Sequence, residues 1–262
     1  MIRKFFVVAA VSAIFGVGLF GNSKLATQCE EKGETFFFAG GECLEFYKAD
    51  GEIKGALNII VHGNWPEGSN TLARYAPFAD NIAMATDITT VTFALPGYSK
   101  SSSNKLQMLA KGGKTPLAIT KGYVTFIGDV VATLKKKYDA NSVTYIGHSA
   151  GAMMGASLVG TKPNLIQNIA LAGGKYIFED IPKSKDLIRP IDVVGGLDKN
   201  LQMVLVYGGK DTVSPPKFTV DFYDILKVRG VDVKLIEALD SEHLDLDMTD
   251  ESVSAITTML EK

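Results

Sequence analysis

Residues 142–155 read SVTYIGHSAGAMMG, and this stretch decides the fold. Its first five residues are short, β-branched and apolar, which predicts a strand buried on both faces. Small apolar residues and Met follow at helix-compatible spacing to about Gly160. The motif GHSAG therefore lies where a strand turns sharply into a helix. The glycines on either side of Ser149 would let the strand and the helix approach closely.

A serine on such a turn points away from the sheet. The first N–H groups of the helix face the same space, so an anion could be held there. In this context G-x-S-x-G is typical of a nucleophile elbow, with Ser149 as the nucleophile. The bare motif is a weak signal in a chain with 26 glycines. A Gly-rich turn with a structural serine is therefore the alternative.

The length and composition of the chain fit one large α/β domain. It has 262 residues, of which 46% are hydrophobic, and this is enough for a substantial core without a second domain. Lys and Arg number 27 against 29 Asp and Glu, and no basic block or aromatic–basic pattern occurs. We therefore expect no nucleic-acid partner.

Residues 1–23 are predicted to be an export signal. Two basic residues precede an apolar run over residues 5–20, and Gly21 and Ser23 supply small residues at −3 and −1 of a cleavage site after Ser23. The run is close to the length of a membrane span, so an uncleaved anchor is the alternative. We expect a secreted or periplasmic protein, or one anchored outside the cytoplasm, and membrane contact only if the segment is retained.

Residues 24–52 are predicted to form an N-terminal β-hairpin segment with a disulfide. Residues 34–38 and 43–47 read as two strands around a Gly-containing turn. Export would carry the two cysteines, Cys29 and Cys43, into an oxidising compartment, so we expect a bridge between them. Metal binding is the rival, but two cysteines and three scattered histidines form no ligand cluster. We expect no metal and no cofactor.

From residue 53 onward the pattern alternates between strands and helices. Buried-strand runs lie at residues 56–61, 88–95, 142–146, 166–172, 201–207 and 231–238, and helical patterns at 70–85, 123–138, 216–227 and 250–260. Strands separated by crossover helices imply an α/β fold with a mainly parallel, doubly wound sheet. Its ligand site would lie at the carboxyl ends of the strands.

Unusual residues follow the carboxyl ends of these predicted strands. The first strand leads into a His62-Gly63 loop, the strand at 201–207 leads to Asp211, and the last leads to His243. The order Ser149, Asp211, His243, together with that loop, resembles the α/β-hydrolase superfamily. This resemblance spans about residues 53–262.

The resemblance implies an eight-stranded sheet that begins with the two antiparallel strands of the N-terminal hairpin. It also implies a catalytic triad, with Ser149 as nucleophile, His243 as base and then acid, and Asp211 as the group that orients the histidine. Asp211 and His243 each have a simpler alternative. Asp211 sits in a Gly-Lys-Asp turn and would only stabilise that turn, and His243 would be a solvated residue of an acidic loop. His62 and His148 match positions that are usually structural in this superfamily.

An oxyanion hole is the second feature that the resemblance implies. Its donors would be the backbone N–H groups of Ala150 and Asn64, with Trp65 as the alternative second donor. Trp65 would either line the acyl pocket or pack under the loop.

The expected function is hydrolysis of a small-molecule carboxylic ester, or of a small amide or peptide bond. An acyltransferase would use the same residues, and a hydrolase-fold binding module of the cell envelope is the non-catalytic alternative. Residues 174–200, between the sixth and seventh strands, leave room for a short lid insertion but not for a large one. The polar loop at 100–115 could border the site instead.

Overall fold

The computed structural model describes the backbone of residues 17–261 and the side chains from residue 24 onward. Most of the predicted export signal, residues 1–23, lies outside this range. The described chain begins with helix α1, Val17–Glu30, which contains the predicted cleavage position. None of the helices in the described range has both the length and the apolar character needed to cross a membrane.

Within residues 17–261, eight strands form one sheet. They are β1 Phe36–Ala39, β2 Glu42–Ala49, β3 Ile53–Val61, β4 Ile88–Phe93, β5 Ser142–His148, β6 Asn168–Ala172, β7 Gln202–Gly208 and β8 Val233–Ala238. The spatial order is β1-β2-β4-β3-β5-β6-β7-β8. Strands β3 to β8 are parallel, whereas β2 is antiparallel to both β1 and β4. The predicted mainly parallel sheet with an N-terminal hairpin is confirmed.

In the described part of the chain, six further helices cover the two faces of the sheet. They are α2 Thr71–Thr86, α3 Lys121–Lys137, α4 Ala150–Thr161, α5 Pro190–Val193, α6 Pro216–Val228 and α7 Asp250–Leu260. Side chains of α2 and α7 pack into one core cluster, and those of α3, α4 and α6 pack into the other. Along β3, Ile59 and Val61 face one cluster and Ile60 the other. This alternation explains why the strand is apolar throughout.

Several predicted strand boundaries were wrong by two or three residues: β3 begins at Ile53 and not at 56, β5 ends at His148 and not at 146, and β6 begins at Asn168 and not at 166. Two further boundaries were wrong for a reason that the structure shows. The strand predicted from residue 231 begins at Val233, because the N–H of Val231 donates to Leu226 and completes the end of α6. The strand predicted to reach Leu95 ends at Phe93, because the N–H of Leu95 donates to a histidine ring instead of to a neighbouring strand.

The hairpin is tied to the helix that precedes it. Cys29 near the end of α1 and Cys43 in β2 form a disulfide, with their Cα atoms 5.4 Å apart. The bond joins the lead-in segment to the second strand of the hairpin, as predicted. Because β2 also pairs with β4, the hairpin belongs to the same sheet as the rest of the chain.

Candidate active site

Ser149 occupies a strained turn between β5 and α4. Its backbone angles are φ 52° and ψ −113°, a conformation that residues with a side chain rarely adopt. The turn is held in place because the N–H of Ser149 donates to the carbonyl oxygen of Ala172, in the neighbouring strand β6, at 2.8 Å. The surrounding structure therefore fixes where the hydroxyl group lies.

The two glycines of the motif are required by close backbone contacts. A Cβ atom at Gly151 would lie 2.1 Å from the carbonyl oxygen of Val61, at the end of β3. One at Gly147 would lie 2.8 Å from the backbone of Gly151. No side chain fits at either position, which is the steric reason for the sequence pattern G-x-S-x-G.

Ser149, His243 and Asp211 form a continuous chain of hydrogen bonds. The Oγ atom of Ser149 lies 2.9 Å from Nε2 of His243, and Nδ1 of His243 lies 2.8 Å from Oδ2 of Asp211. Asp211 is 3% exposed, and its other oxygen, Oδ1, accepts hydrogen bonds from the N–H groups of Val213 and Ser214 at 2.8 and 2.7 Å. The three residues follow β5, β8 and β7, whose carboxyl ends meet at one edge of the sheet.

His148 holds the segment that carries His243. The Nε2–H group of His148 donates to the backbone carbonyl oxygen of His243 at 2.9 Å, and the centroids of the two rings are 5.0 Å apart. Burial lowers the pKa of His148, so its ring is neutral at pH 7. The Asp247 carboxylate lies 3.9 Å from the other ring nitrogen of His148, and burial raises the pKa of that carboxylate.

His62 is buried in the loop after β3. Its Nε2 atom accepts the N–H of Leu95 at 3.0 Å, and its Nδ1 atom lies 2.7 Å from the carbonyl oxygen of Gly63. Neither His62 nor His148 lines the cleft above Ser149. Both rings therefore serve the architecture around the site rather than its surface.

A cleft of about 550 Å³ opens above Ser149 and His243. Most of the side chains that line it are apolar: Leu109, Ala110, Pro116, Leu117, Ala118, Met153, Phe178, Val213 and Phe218. The loop at 100–115 contributes some of them, so it borders the site through apolar residues rather than through its polar ones. Residues 174–200 hold the short helix α5 and a 3-10 turn, and no large lid is present in this part of the described chain.

Asn64 and Ala150 also line this cleft, beside Ser149. The N–H of Trp65 is engaged elsewhere, since it donates to the hydroxyl of Tyr98 at 3.3 Å. The same hydroxyl lies 2.8 Å from Oδ1 of Asn64 and 2.9 Å from the carbonyl oxygen of Trp65. Tyr98 thus fixes the loop, a role that sequence reasoning missed although the segment after β4 stood out.

Trp65 does not line the cleft. Its ring packs edge-on against Tyr75, with the centroids 6.5 Å apart, and the guanidinium of Arg74 lies 4.7 Å from its centroid. The indole also touches both core clusters. Trp65 therefore packs under the loop, which is the second of the two expectations. The first expectation, that it lines the acyl pocket, does not agree with its position.

Lys175 is a further residue at the site that sequence reasoning missed. It lies in the segment after β6 and lines the cleft together with Ser149. The available signal was its position directly after the Gly173-Gly174 pair at a strand end. As for metals, no three His, Cys, Asp or Glu side chains of the described residues converge as ligands.

A parallel sheet with one antiparallel strand near its edge, and a serine on a strand–helix turn at its carboxyl edge, define the α/β-hydrolase class. A family model described as alpha/beta hydrolase fold matches residues 59–195, more than half of the chain. The chain belongs to this family. None of the curated proteins matches its sequence significantly.

Solved structures share the fold at low sequence identity. An esterase from Pyrococcus furiosus is 18% identical, with a TM-score of 0.61 over 84% of this chain and 87% of its own. Est1E from Butyrivibrio proteoclasticus, solved with ferulic acid bound, is 16% identical, with a TM-score of 0.57 over 87% and 96%. A serine hydrolase without a lid from Xanthomonas campestris is 15% identical, with a TM-score of 0.54 over 84% and 87%.

Proposed function

We propose that this protein is an exported serine hydrolase that cleaves a carboxylic ester through an acyl-enzyme on Ser149. A small amide or peptide bond is the second substrate class. The observation that carries the proposal is the hydrogen-bonded chain from Ser149 through His243 to Asp211, at the base of an open, mainly apolar cleft.

The first chemical step is attack of the serine hydroxyl on the ester carbonyl. A hydroxyl is a weak nucleophile at neutral pH, and His243 Nε2, at 2.9 Å, accepts its proton as the bond forms. The Nδ1–H group of His243 donates to Asp211, which keeps the lone pair on Nε2 and stabilises the imidazolium. The two hydrogen bonds that Asp211 accepts from backbone N–H groups hold its carboxylate in position.

The negative charge on the attacked carbonyl oxygen is held by backbone N–H groups of Ala150 and Asn64. Ala150 is the first residue of α4, and an N–H group in the first turn of a helix has no acceptor within that helix. Asn64 is preferred to Trp65 as the second donor, because Trp65 already donates to Tyr98. Each such donor contributes about 10²–10³-fold to the rate of acyl transfer.

Collapse of the tetrahedral intermediate completes the reaction. His243 returns the proton to the departing alcohol, and the acyl group stays on Ser149. Water, deprotonated by the same imidazole, then releases the acid. The His243 side chain is 16% exposed, so water reaches the site directly. If an alcohol took the place of this water, the product would be a new ester, and the reaction would be acyl transfer.

Export is part of the proposal. Residues 1–23 act as a signal that is removed after Ser23, leaving the hairpin segment 24–52 and the catalytic residues 53–262 as one domain. The Cys29–Cys43 disulfide supports an oxidising compartment. The intact mass of protein isolated from its native compartment would reveal the cleavage, and retention of the first 23 residues would favour the anchored form.

A fluorophosphonate probe tests the catalytic residues. It should attach irreversibly to Ser149, because its tetrahedral phosphorus uses the nucleophile and the oxyanion hole together. His243→Ala should abolish most labelling. Asp211→Asn should slow it by up to about 10⁴-fold, since the imidazole would then be held in the wrong tautomer. Peptide mapping of the labelled protein identifies the modified serine.

Asp240→Asn is the matched control for Asp211→Asn. Asp240 is a neighbouring carboxylate that is mostly exposed and pairs with Lys210, so its substitution should leave labelling unchanged. Labelling at another serine, or sensitivity at Asp240 in place of Asp211, would contradict the assignment. Equal hydrolysis of activated esters by the wild type and Ser149→Ala would favour the non-catalytic binding module.

A further inference from the structure

The charge of the cleft is uneven. Apart from His243, Lys175 is the one ionisable side chain among the described residues that line it, and no Asp or Glu is among them. The chain as a whole carries a formal charge of −2, so a lysine with no carboxylate beside it on the cleft lining is a local feature and not a reflection of composition. A bound substrate therefore meets one cation and no anion, which favours negatively charged ligands.

Aromatic rings hold the ammonium group of Lys175 at the cleft wall. Its Nζ atom lies 5.1 Å from the ring centroid of Phe178 and 5.2 Å from that of Phe218, and both rings line the cleft. Cation–π attraction at these distances restrains a flexible side chain. The Lys175 side chain is 28% exposed, so its charge is partly removed from water and acts on nearby groups more strongly than a charge in bulk solvent.

Lys175 has an ion-pair partner outside the cleft. Its Nζ atom lies 3.2 Å from Oδ1 of Asp180, whose side chain is 71% exposed and does not line the cleft. Hydrogen bonding to Lys175 lowers the pKa of the Asp180 carboxyl, as expected for such a pair. Solvent screens this pair from the side of the exposed Asp180 carboxylate, which weakens it, and an ammonium has three donor hydrogens. Lys175 can therefore bind a second carboxylate from the cleft side.

We propose that Lys175 is a specificity-determining residue that binds an anionic group on the substrate, so that the preferred substrate is an ester carrying a free carboxylate. This inference rests on the proposed function. The apolar walls would contact the hydrocarbon part of the substrate, and Lys175 would pair with its carboxylate while Ser149 attacks the ester carbonyl. Esters with a cationic group would be disfavoured by the same charge.

Matched ester pairs test the proposal. On the acyl side, the mono-4-nitrophenyl ester of adipic acid is compared with 4-nitrophenyl hexanoate, which has the same chain length without the charge. On the alcohol side, 4-acetoxybenzoate is compared with phenyl acetate. The quantity measured is the ratio of kcat/KM for the anionic ester to kcat/KM for its neutral partner, so that differences in folding or active-enzyme fraction cancel.

Substitutions of Lys175 and of Asp180 should have different effects on this ratio. Lys175→Met should lower it about tenfold in at least one pair, the effect of one partly desolvated charge pair, and Lys175→Arg should retain most of it. Asp180→Asn should raise it, because Lys175 loses its competing partner. Lys183→Met is the matched control, since Lys183 is an exposed lysine paired with Asp192 outside the cleft, and should leave the ratio unchanged.

Two results would overturn the proposal. The first is that Lys175→Met leaves the kcat/KM ratio within twofold of the wild-type ratio in both ester pairs. The second is that Lys183→Met lowers the ratio as much as Lys175→Met does. Fluorophosphonate labelling of Ser149 on the same preparations separates the two levels of inference. Labelled, active enzyme without charge discrimination refutes the role of Lys175 alone, whereas protein that neither labels nor hydrolyses any of the esters refutes the proposed function.

Discussion

Acidification should destabilise this protein through His62, a residue that the proposed chemistry does not use. The ring is fully buried and uses both nitrogens in its neutral form: Nδ1–H donates to the carbonyl oxygen of Gly63, and Nε2 accepts the N–H of Leu95. A second proton would have to be added at Nε2, where that N–H already points. Burial accordingly lowers the pKa of His62 from 6.5 to about 4.

The magnitude follows from linkage. As the pH falls, the unfolded chain binds a proton at His62 before the folded chain does, so this contribution to stability is complete above about pH 7 and is lost between pH 6.5 and about 4. The full loss is about 3 kcal/mol, and about 2 kcal/mol of it occurs between pH 7.5 and pH 5. For a chain of this size, each kcal/mol lowers Tm by about 2 °C.

Urea unfolding of the wild type and of His62→Gln at pH 7.5 and pH 5 measures the effect. Trp65 is the single tryptophan, so its fluorescence reports on the same loop. Glutamine keeps a donor and an acceptor but does not titrate, and its cost at pH 7.5 cancels in the pH difference. The wild type should lose about 2 kcal/mol more than the variant between these pH values. Equal losses in both proteins would refute the reasoning, because other titrating groups such as His148 contribute to both alike.

Three more outcomes are expected. Gly151→Ala should give protein that fails to fold, as judged by circular dichroism, because the new Cβ would lie 2.1 Å from a backbone oxygen at the end of β3. Gly113→Ala is the control and should be tolerated, since no atom lies within 4 Å of the Cβ position there. Glu42→Ala should lower the free energy of unfolding in urea by about 3 kcal/mol or more, since the buried carboxylate accepts four hydrogen bonds from residues 102–106. A loss under about 1 kcal/mol would contradict this role of Glu42. Replacing Cys29 and Cys43 by serine should cost about 3 kcal/mol for a sequence separation of 14, and intact mass with and without reductant checks the bond.

Most of the fold could be predicted because its signals are local. A run such as ALNIIV at residues 56–61 can be buried on both faces only as a strand in a covered sheet, and the apolar spacing over 123–138 fits only one face of a helix. The hairpin was predictable from two short strand runs around a Gly-containing turn, and the disulfide from the export signal and the two cysteines of the chain. Two of the boundaries that were wrong lie where a side chain or a helix end takes the N–H group that a strand would use, at Leu95 and at Val231.

The candidate site was only partly predictable. Ser149, Asp211 and His243 follow strand ends, and parallel strands bring their carboxyl ends together whatever the loops do. Lys175 also follows a strand end, but no motif sets it apart there, and nothing in the sequence indicates where Trp65 packs. The place of each depends on how a loop folds against residues far away in sequence. The catalytic roles stay predictions for the labelling experiment to test.

The sequence by itself determined the type and order of the elements, the sharp turn at Ser149 and the residue type at each strand end, because these depend on contacts within a few residues or on the regular geometry of a sheet. Only the tertiary structure decided that Tyr98 engages the N–H of Trp65, that the indole packs on Tyr75 and Arg74, and that Lys175 lies at the wall of the cleft. Loop conformations are set by packing between distant segments. The same local sequence pattern is compatible with many loop conformations.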